Sequence, residues 1–332
     1  MNTNSTTIDD SNGVNAYDSP LSKTIKFWLL LFGQVCALPC YLFLIYHFVT
    51  KKSLRKALYN HVIIASFFVD FAIVTIDFSC HLGFLRLGYI VPSIPATCLI
   101  WQLLDYGFWY GDLFLKSWAA IERHIFIFHS NLLNSRLKCL FFHYFPLLFA
   151  TFYTIILYIY LIFFYPVEHI YIYDVLVCSG PYYYYDIPAW LIWYESLFHY
   201  VIPICVLFLF SNALIVRVVL QKRRLSITTS WRRYRKMTIQ VLFVSFVYLF
   251  DLPYIVVTIV RWSGYPDFGT NVQGPYFYYV NYIPNVLFPF AILVTYPELL
   301  HKALKPLTWT KKRQTMNANA IGTVVPFATA NI

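Results

Sequence analysis

Apolar residues in this chain run in long unbroken stretches rather than in amphipathic stripes. Seven stretches stand out, at about 25–49, 59–82, 98–128, 139–164, 189–220, 236–262 and 275–296. A helix needs roughly 20 apolar residues to cross a bilayer core, and each stretch is long enough. Only helices or closed barrels satisfy every backbone polar group inside lipid, so the pattern predicts an all-α bundle of seven membrane-spanning helices. A short amphipathic piece at 297–304 predicts an eighth helix lying along the membrane surface.

The third stretch departs from pure apolarity in an ordered way. Asp105, Asp112, Lys116 and Arg123 are spaced by seven, four and seven. At about 100° per residue all four fall within about 20° of one helix face, which predicts a polar seam turned toward the bundle interior. Twenty-five residues separate Cys98 from Arg123. At 1.5 Å per residue this is roughly 37 Å, so the cysteine and the Glu122-Arg123-His124 triplet belong on opposite sides of the membrane.

The connecting segments sort by charge. Lys51, Lys52, Arg55 and Lys56 lie in the first and Arg136 and Lys138 in the third. Seven cations between Lys222 and Lys236 fill the fifth, and Lys302, Lys305, Lys311, Lys312 and Arg313 follow the last span. The alternate connections carry Glu168, Asp174, Asp186 and Asp267, with Arg86 and Arg261 as their main cations. The excess of Lys and Arg marks the cytoplasmic side, so the N-terminus is outside and the C-terminus inside, as seven crossings require. The expected organisation is a disordered extracellular tail (1–24), a seven-helix domain (25–305) and a disordered cytoplasmic tail (306–332). The first segment lacks the basic and apolar regions of a cleavable signal, and Asn4-Ser5-Thr6 forms a glycosylation sequon centred on Asn4.

Composition agrees with this picture: 59% hydrophobic, 21% aromatic and 12% charged residues, about half the charge of a soluble domain. The net charge of +10 is distributed for topology and contact with anionic lipid, which argues against a nucleic-acid partner. The 221–236 run either serves topology alone or also docks a cytoplasmic partner. Seven cysteines without a CxxC pair and nine histidines without HxxxH or HExxH spacing predict no metal site, no cofactor and no metalloenzyme.

With these residues in view, the chain resembles the rhodopsin-like (class A) G-protein-coupled receptors over about 25–305. Asp70 lies ten residues after Asn60, as in that family's second-span pattern. Cys98 opens the third span, and Glu122-Arg123-His124 stands at the family's spacing from it, where Asp/Glu-Arg-Tyr is usual. Cys178 matches the usual disulfide partner of Cys98. Pro203, Pro253 and Pro289 match the prolines of the fifth, sixth and seventh spans. There are departures: the seventh span reads Phe288-Pro289-Phe290 without the family's Asn and Tyr, Asp251 replaces the sixth-span Trp, and Ser211 replaces the fifth-span Tyr.

The resemblance implies a multi-pass plasma-membrane receptor that binds an extracellular peptide or biogenic amine and activates a heterotrimeric G protein. It implies a Cys98–Cys178 bridge under an outer loop whose IYIYDVLV alternation predicts a small β-hairpin. It implies that Glu122 holds Arg123 at rest, with Arg123 released toward the G protein on activation. Asp105 takes the position of the amine receptors' ligand-pairing carboxylate. Trp101, Tyr282, Glu195, His199, Asp251, Tyr254 and Tyr278 are further candidate ligand contacts, although tyrosines around 276–279 also suit an interfacial belt. Asp105 could instead be protonated or bonded to Tyr282, and Glu195, His199 and Asp251 could form a closed hydrogen-bond network.

Asp112 and Lys116 are an acid–base pair at i, i+4. Where the family commonly holds sodium near Asp70, the Lys116 ammonium is expected to complete a buried cluster of Asp70, Asp112 and Lys116; the alternative is that it snorkels toward the cytoplasm. A retinal-type light receptor is argued against, because 275–296 contains no lysine. Rival readings are a transporter or channel, which the lack of an internal repeat disfavours, and a receptor-like protein that has lost coupling.

Overall fold

The structure is a computed structural model, and it describes residues 19–167, 170–181, 189–224, 243, 245–265 and 267–304. The long helices are α1 (Pro20–Thr50), α2 (Leu58–Leu87), α3 (95–128), α4 (Arg136–Phe164), α5 (189–224), α6 (245–262), α7 (270–295) and α8 (297–304). Five of them are long and apolar enough to cross a membrane by composition alone. Of the others, α3 carries the polar seam and α6 is described only from 245. The predicted seven spans and short eighth helix are thus present, with α7 starting five residues before the expected 275.

Local chemistry sets the helix limits. Ser19 caps α1, its hydroxyl accepting from the Ser22 amide at 3.2 Å, and Pro20 occupies the first turn, where its missing N–H is not needed. In α6 a 3-10 turn at Tyr248–Asp251 precedes the α-helical Leu252–Trp262, and Pro253 sits in the first turn of that second piece. Proline lacks the N–H of an uninterrupted ladder, so the helix changes pitch just before it. α2 and α3 each contain a π-helical turn, at Ile73–Asp77 and Leu103–Phe108. Such turns insert a residue into the ladder and shift the register of everything beyond them.

One core joins the bundle, built on Tyr41, Phe48, Phe67, Phe78, Leu113, Leu115 and Phe288. Large apolar side chains such as Trp28, Phe32, Phe141 and Phe145 face outward, as a lipid-facing surface requires. Helices are also tied by side chain–backbone hydrogen bonds: Tyr41 donates to the Asn285 carbonyl at 2.6 Å and Ser117 to the Pro203 carbonyl at 2.7 Å. α3 and α4 approach closely at Gly111, where an added Cβ would meet Thr154 Oγ1 at 2.9 Å.

The Cys98–Cys178 disulfide is present. The expected β-hairpin is not: among the described residues of that loop there is no strand, and Leu176–Ser179 forms a 3-10 turn. Val177, Cys178 and Ser179 have φ of 52°, 55° and 73°, a left-handed run that cannot extend a strand. The alternation that suggested a strand instead reflects packing, because Tyr171, Tyr173 and Leu176 lean on the small cluster around Cys98 and Trp101. Gln102 Nε2 donates to the Gly180 carbonyl at 2.8 Å, holding the loop to the top of α3.

Candidate functional site

Polar side chains in the bundle interior form three tiers along α3. In the outer tier, Asp105 Oδ1 accepts from Tyr278 Oη at 2.5 Å and from Tyr282 Oη at 2.8 Å, joining α3 to α7. From α2, His81 Nε2 lies 2.8 Å from Tyr282 Oη, 3.3 Å from Asp77 Oδ1 and 3.9 Å from Asp105 Oδ1. Trp101 donates its indole N–H to Asp77 Oδ1 at 2.7 Å. Asp77 Oδ2 and His81 Nδ1 have no hydrogen-bond partner among the described residues. Asp77 and Asp105 sit at the end and in the middle of the two π turns.

Asp105 also lines a cavity of about 80 Å³ with Trp109, Tyr110, Tyr200, Tyr254, Tyr278 and Tyr282. A wider cavity of about 350 Å³ shares Tyr110, Tyr200 and Tyr254 with it and extends to Thr258, Arg261 and Gln273. The walls are tyrosine-rich, with Asp105 the one carboxylate among the residues lining either cavity, a combination suited to a cationic group through charge and cation–π attraction.

The middle tier is an ion cluster. Lys116 Nζ lies 3.0 Å from Asp70 Oδ2 and is in close contact with Asp112 Oδ1, and it sits 3.9 Å from the centre of the Phe288 ring. Its ammonium therefore points into the bundle and does not snorkel. Tyr248 donates to Asp112 Oδ2 at 2.8 Å, while Asn285 Nδ2 donates to Asp70 Oδ1 at 3.1 Å and reaches Asp112 Oδ2 at 3.4 Å. Four helices, α2, α3, α6 and α7, meet at this point.

At the cytoplasmic end, Glu122 is in close contact with His143 Nδ1 of α4, and His143 Nε2 lies 2.9 Å from His61 Nδ1 of α2. His61 Nε2 in turn lies 3.0 Å from the Arg55 carbonyl. Arg123 is buried beside this chain, and His124 Nε2 lies 2.7 Å from the Phe210 carbonyl on α5. Glu122 is thus engaged by a histidine that the sequence reading did not anticipate.

The structure brings Asp105, Tyr254, Tyr278 and Tyr282 to one cavity, and Asp70, Asp112 and Lys116 to one cluster. The other expected pocket residues are not among those lining these two cavities, although Glu195 borders Tyr110, which lines both. Trp101 is fully buried against Asp77 rather than on the cavity wall, because its indole N–H needs an acceptor. His199 faces α4, within 3.1 Å of Tyr153 Oη and 3.2 Å of Tyr158 Oη. Glu195 is 3.5 Å from Tyr110 Oη. Asp251 is fully buried, and its carboxylate oxygens have no hydrogen-bond partner among the described residues. Asn4 lies outside the described residues.

Sequence reasoning missed Asp77, His81, His143, Tyr248 and Asn285. A signal existed for the first two: Asp70, Asp77 and His81 are spaced by seven and four, the same spacing as Asp105, Asp112 and Lys116.

No protein-family model matches the chain, and no curated protein matches it by sequence. Among solved structures, squid rhodopsin is similar with a TM-score of 0.60 at 16% identity, covering 92% of this chain and 93% of that one. At this identity the likeness is one of fold: the chain has the seven-helix fold of rhodopsin, and its long apolar helices are those of a membrane protein.

Proposed function

We propose that this protein is a plasma-membrane receptor, not an enzyme, that binds a positively charged extracellular ligand between its helices and activates a heterotrimeric G protein. The observation that carries the reading is Asp105 in the wall of the tyrosine-lined cavity, on the same helix that carries Glu122-Arg123-His124 near its other end. A rigid helix with a ligand-facing carboxylate at one end and a buried arginine at the other can couple the two, provided the tiers between them rearrange.

A basic peptide fits better than a small amine. The inner cavity has room for little more than a cationic tip, while the wider adjoining cavity would receive the rest of a longer ligand. Asp105 would pair with the tip, and Tyr254, Tyr278 and Tyr282 would surround it. Lys116 occupies the place where relatives bind sodium, so ligand affinity is expected to be insensitive to sodium.

The test is G-protein activation in cells challenged with panels of basic peptides and amines. An active ligand should lose potency by about tenfold to a hundredfold with Asp105→Ala, the range for losing a hydrogen bond to a charged group. Arg123→Ala should abolish activation while ligand still binds. Ligand-gated current without G-protein activation would overturn the receptor reading, and ligand binding without activation by the unaltered chain would favour an uncoupled receptor.

A further inference from the structure

The outer tier contains two side chains, Asp77 and His81, that neither the ligand nor the G-protein reading uses, beside Asp105, which the ligand reading does. Asp77, His81 and Asp105 each bring one ligand atom within 4.8 Å of the others, and all three side chains are at least nine-tenths buried. Two carboxylates facing one imidazole in a buried site leave negative charge uncompensated. Asp105 Oδ1 has two tyrosine donors, and Asp77 Oδ1 has the Trp101 indole. Asp77 Oδ2 has no hydrogen-bond donor among the described residues, although it is buried in the cluster.

We propose that Asp77, His81 and Asp105 form a binding site for a divalent transition metal, with Zn²⁺ as the best-fitting ion. One imidazole and two carboxylates are zinc ligands at about 2.0–2.2 Å, and neighbouring ligand atoms of such a tetrahedron lie roughly 3.3 Å apart. His81 Nε2 and Asp77 Oδ1 are already 3.3 Å apart, and His81 Nε2 and Asp105 Oδ1 3.9 Å, so small side-chain shifts suffice. Calcium or magnesium would demand six or more oxygen ligands, which this donor set lacks. Asp105 is the member that lines the cavity, so the fourth coordination position opens toward it. Tyr278 and Trp101 would act from outside the ligand shell, orienting Asp105 and Asp77. Tyr282, now 2.8 Å from His81 Nε2, would turn aside and keep its bond to Asp105. A bound ion would pin α2 to α3 directly beneath the Cys98–Cys178 bridge.

The site shares Asp105 with the proposed ligand cavity, so its test reads metal binding alone and does not depend on G-protein coupling. The full chain, purified and reconstituted in lipid nanodiscs, is titrated with Co²⁺ and then with Zn²⁺. One Co²⁺ per chain should bind with the visible absorption of a tetrahedral site and be displaced by Zn²⁺. Asp77→Asn and His81→Gln should each weaken Zn²⁺ binding more than about tenfold, the least that even outer-shell changes cost. Thermal melting without metal checks that both variants are folded. If either is not, X-ray absorption of the Zn²⁺-loaded wild type decides: one imidazole with oxygen ligands supports the site, and several imidazoles or a thiolate overturn it. Unchanged affinity in the folded variants, or no stoichiometric binding to the wild type, would equally overturn it.

Discussion

The outer and middle tiers are built from the same materials and reach opposite ends. Each has two aspartates and one basic side chain, drawn from two triplets at the same seven-then-four spacing: Asp70, Asp77 and His81 on α2, and Asp105, Asp112 and Lys116 on α3. In the middle tier, Lys116 meets both carboxylates, and Tyr248 and Asn285 satisfy further lone pairs. In the outer tier, His81 lies against Asp77 and Asp105 but leaves Asp77 Oδ2 and its own Nδ1 unsatisfied among the described residues. The first arrangement is closed and locks four helices. The second borders a cavity and has capacity left for something from outside. The lesson is that buried charge marks a recognition site only where its hydrogen bonding is incomplete and a path leads to it.

The strongest way to break this contrast is to open the closed tier. Lys116→Met should leave two buried carboxylates facing each other and destabilise the folded chain by about 3–5 kcal/mol, read as a lowered melting temperature in detergent. Replacing the whole set, with Asp70→Asn and Asp112→Asn added, should recover most of that loss, because a neutral cluster needs no counter-charge. Where the single variant still folds, a sodium-sensitive ligand affinity should appear, and its absence would argue against Lys116 as the substitute for sodium.

The next effect concerns the roof of the outer tier. Cys178→Ser should cost about 2–5 kcal/mol, again seen in thermal melting, since the bridge closes a long loop over the top of α3. Tyr248→Phe should cost about 1–3 kcal/mol, because the donor left to Asp112 Oδ2, Asn285 Nδ2, is a long 3.4 Å away. Tyr278→Phe, the matched change in the outer tier, should cost only about 1 kcal/mol, because Tyr282 still donates to Asp105. If Tyr278→Phe proved costlier than Tyr248→Phe, the outer tier would be the tightly closed one, contrary to this account.

Much of the architecture was legible in the chain. The seven apolar runs and the placement of Lys and Arg specify spans and orientation because lipid imposes a length and the inner leaflet a charge bias. Helical spacing alone put Asp112 next to Lys116. What periodicity could not reveal was the crossing partner: nothing local in Asn285, Tyr248 or His143 tells which carboxylate each will meet. The π turns at 73–77 and 103–108 are equally silent, because they arise from packing among helices and not from a local propensity. The bond from Trp101 to Asp77 was unreadable for the same reason, its partner lying on another helix. The loop at 170–179 misled in a different way, since an alternating pattern describes which side chains find a core and not whether a second strand exists.

The central claim, that α3 ends in a working G-protein switch, can be tested without knowing the ligand. Arg233 lies just before the sixth apolar run in the sequence, where the family resemblance implies an acidic partner for the arginine, so the proposed receptor is expected to be loosely held at rest and to signal on its own. The measurement is ligand-free guanine-nucleotide exchange on heterotrimers of the different G-protein classes by the chain in nanodiscs, beside Arg123→Ala. The account predicts exchange clearly above the Arg123→Ala background for at least one heterotrimer. Identical rates for the two proteins with every heterotrimer would contradict it.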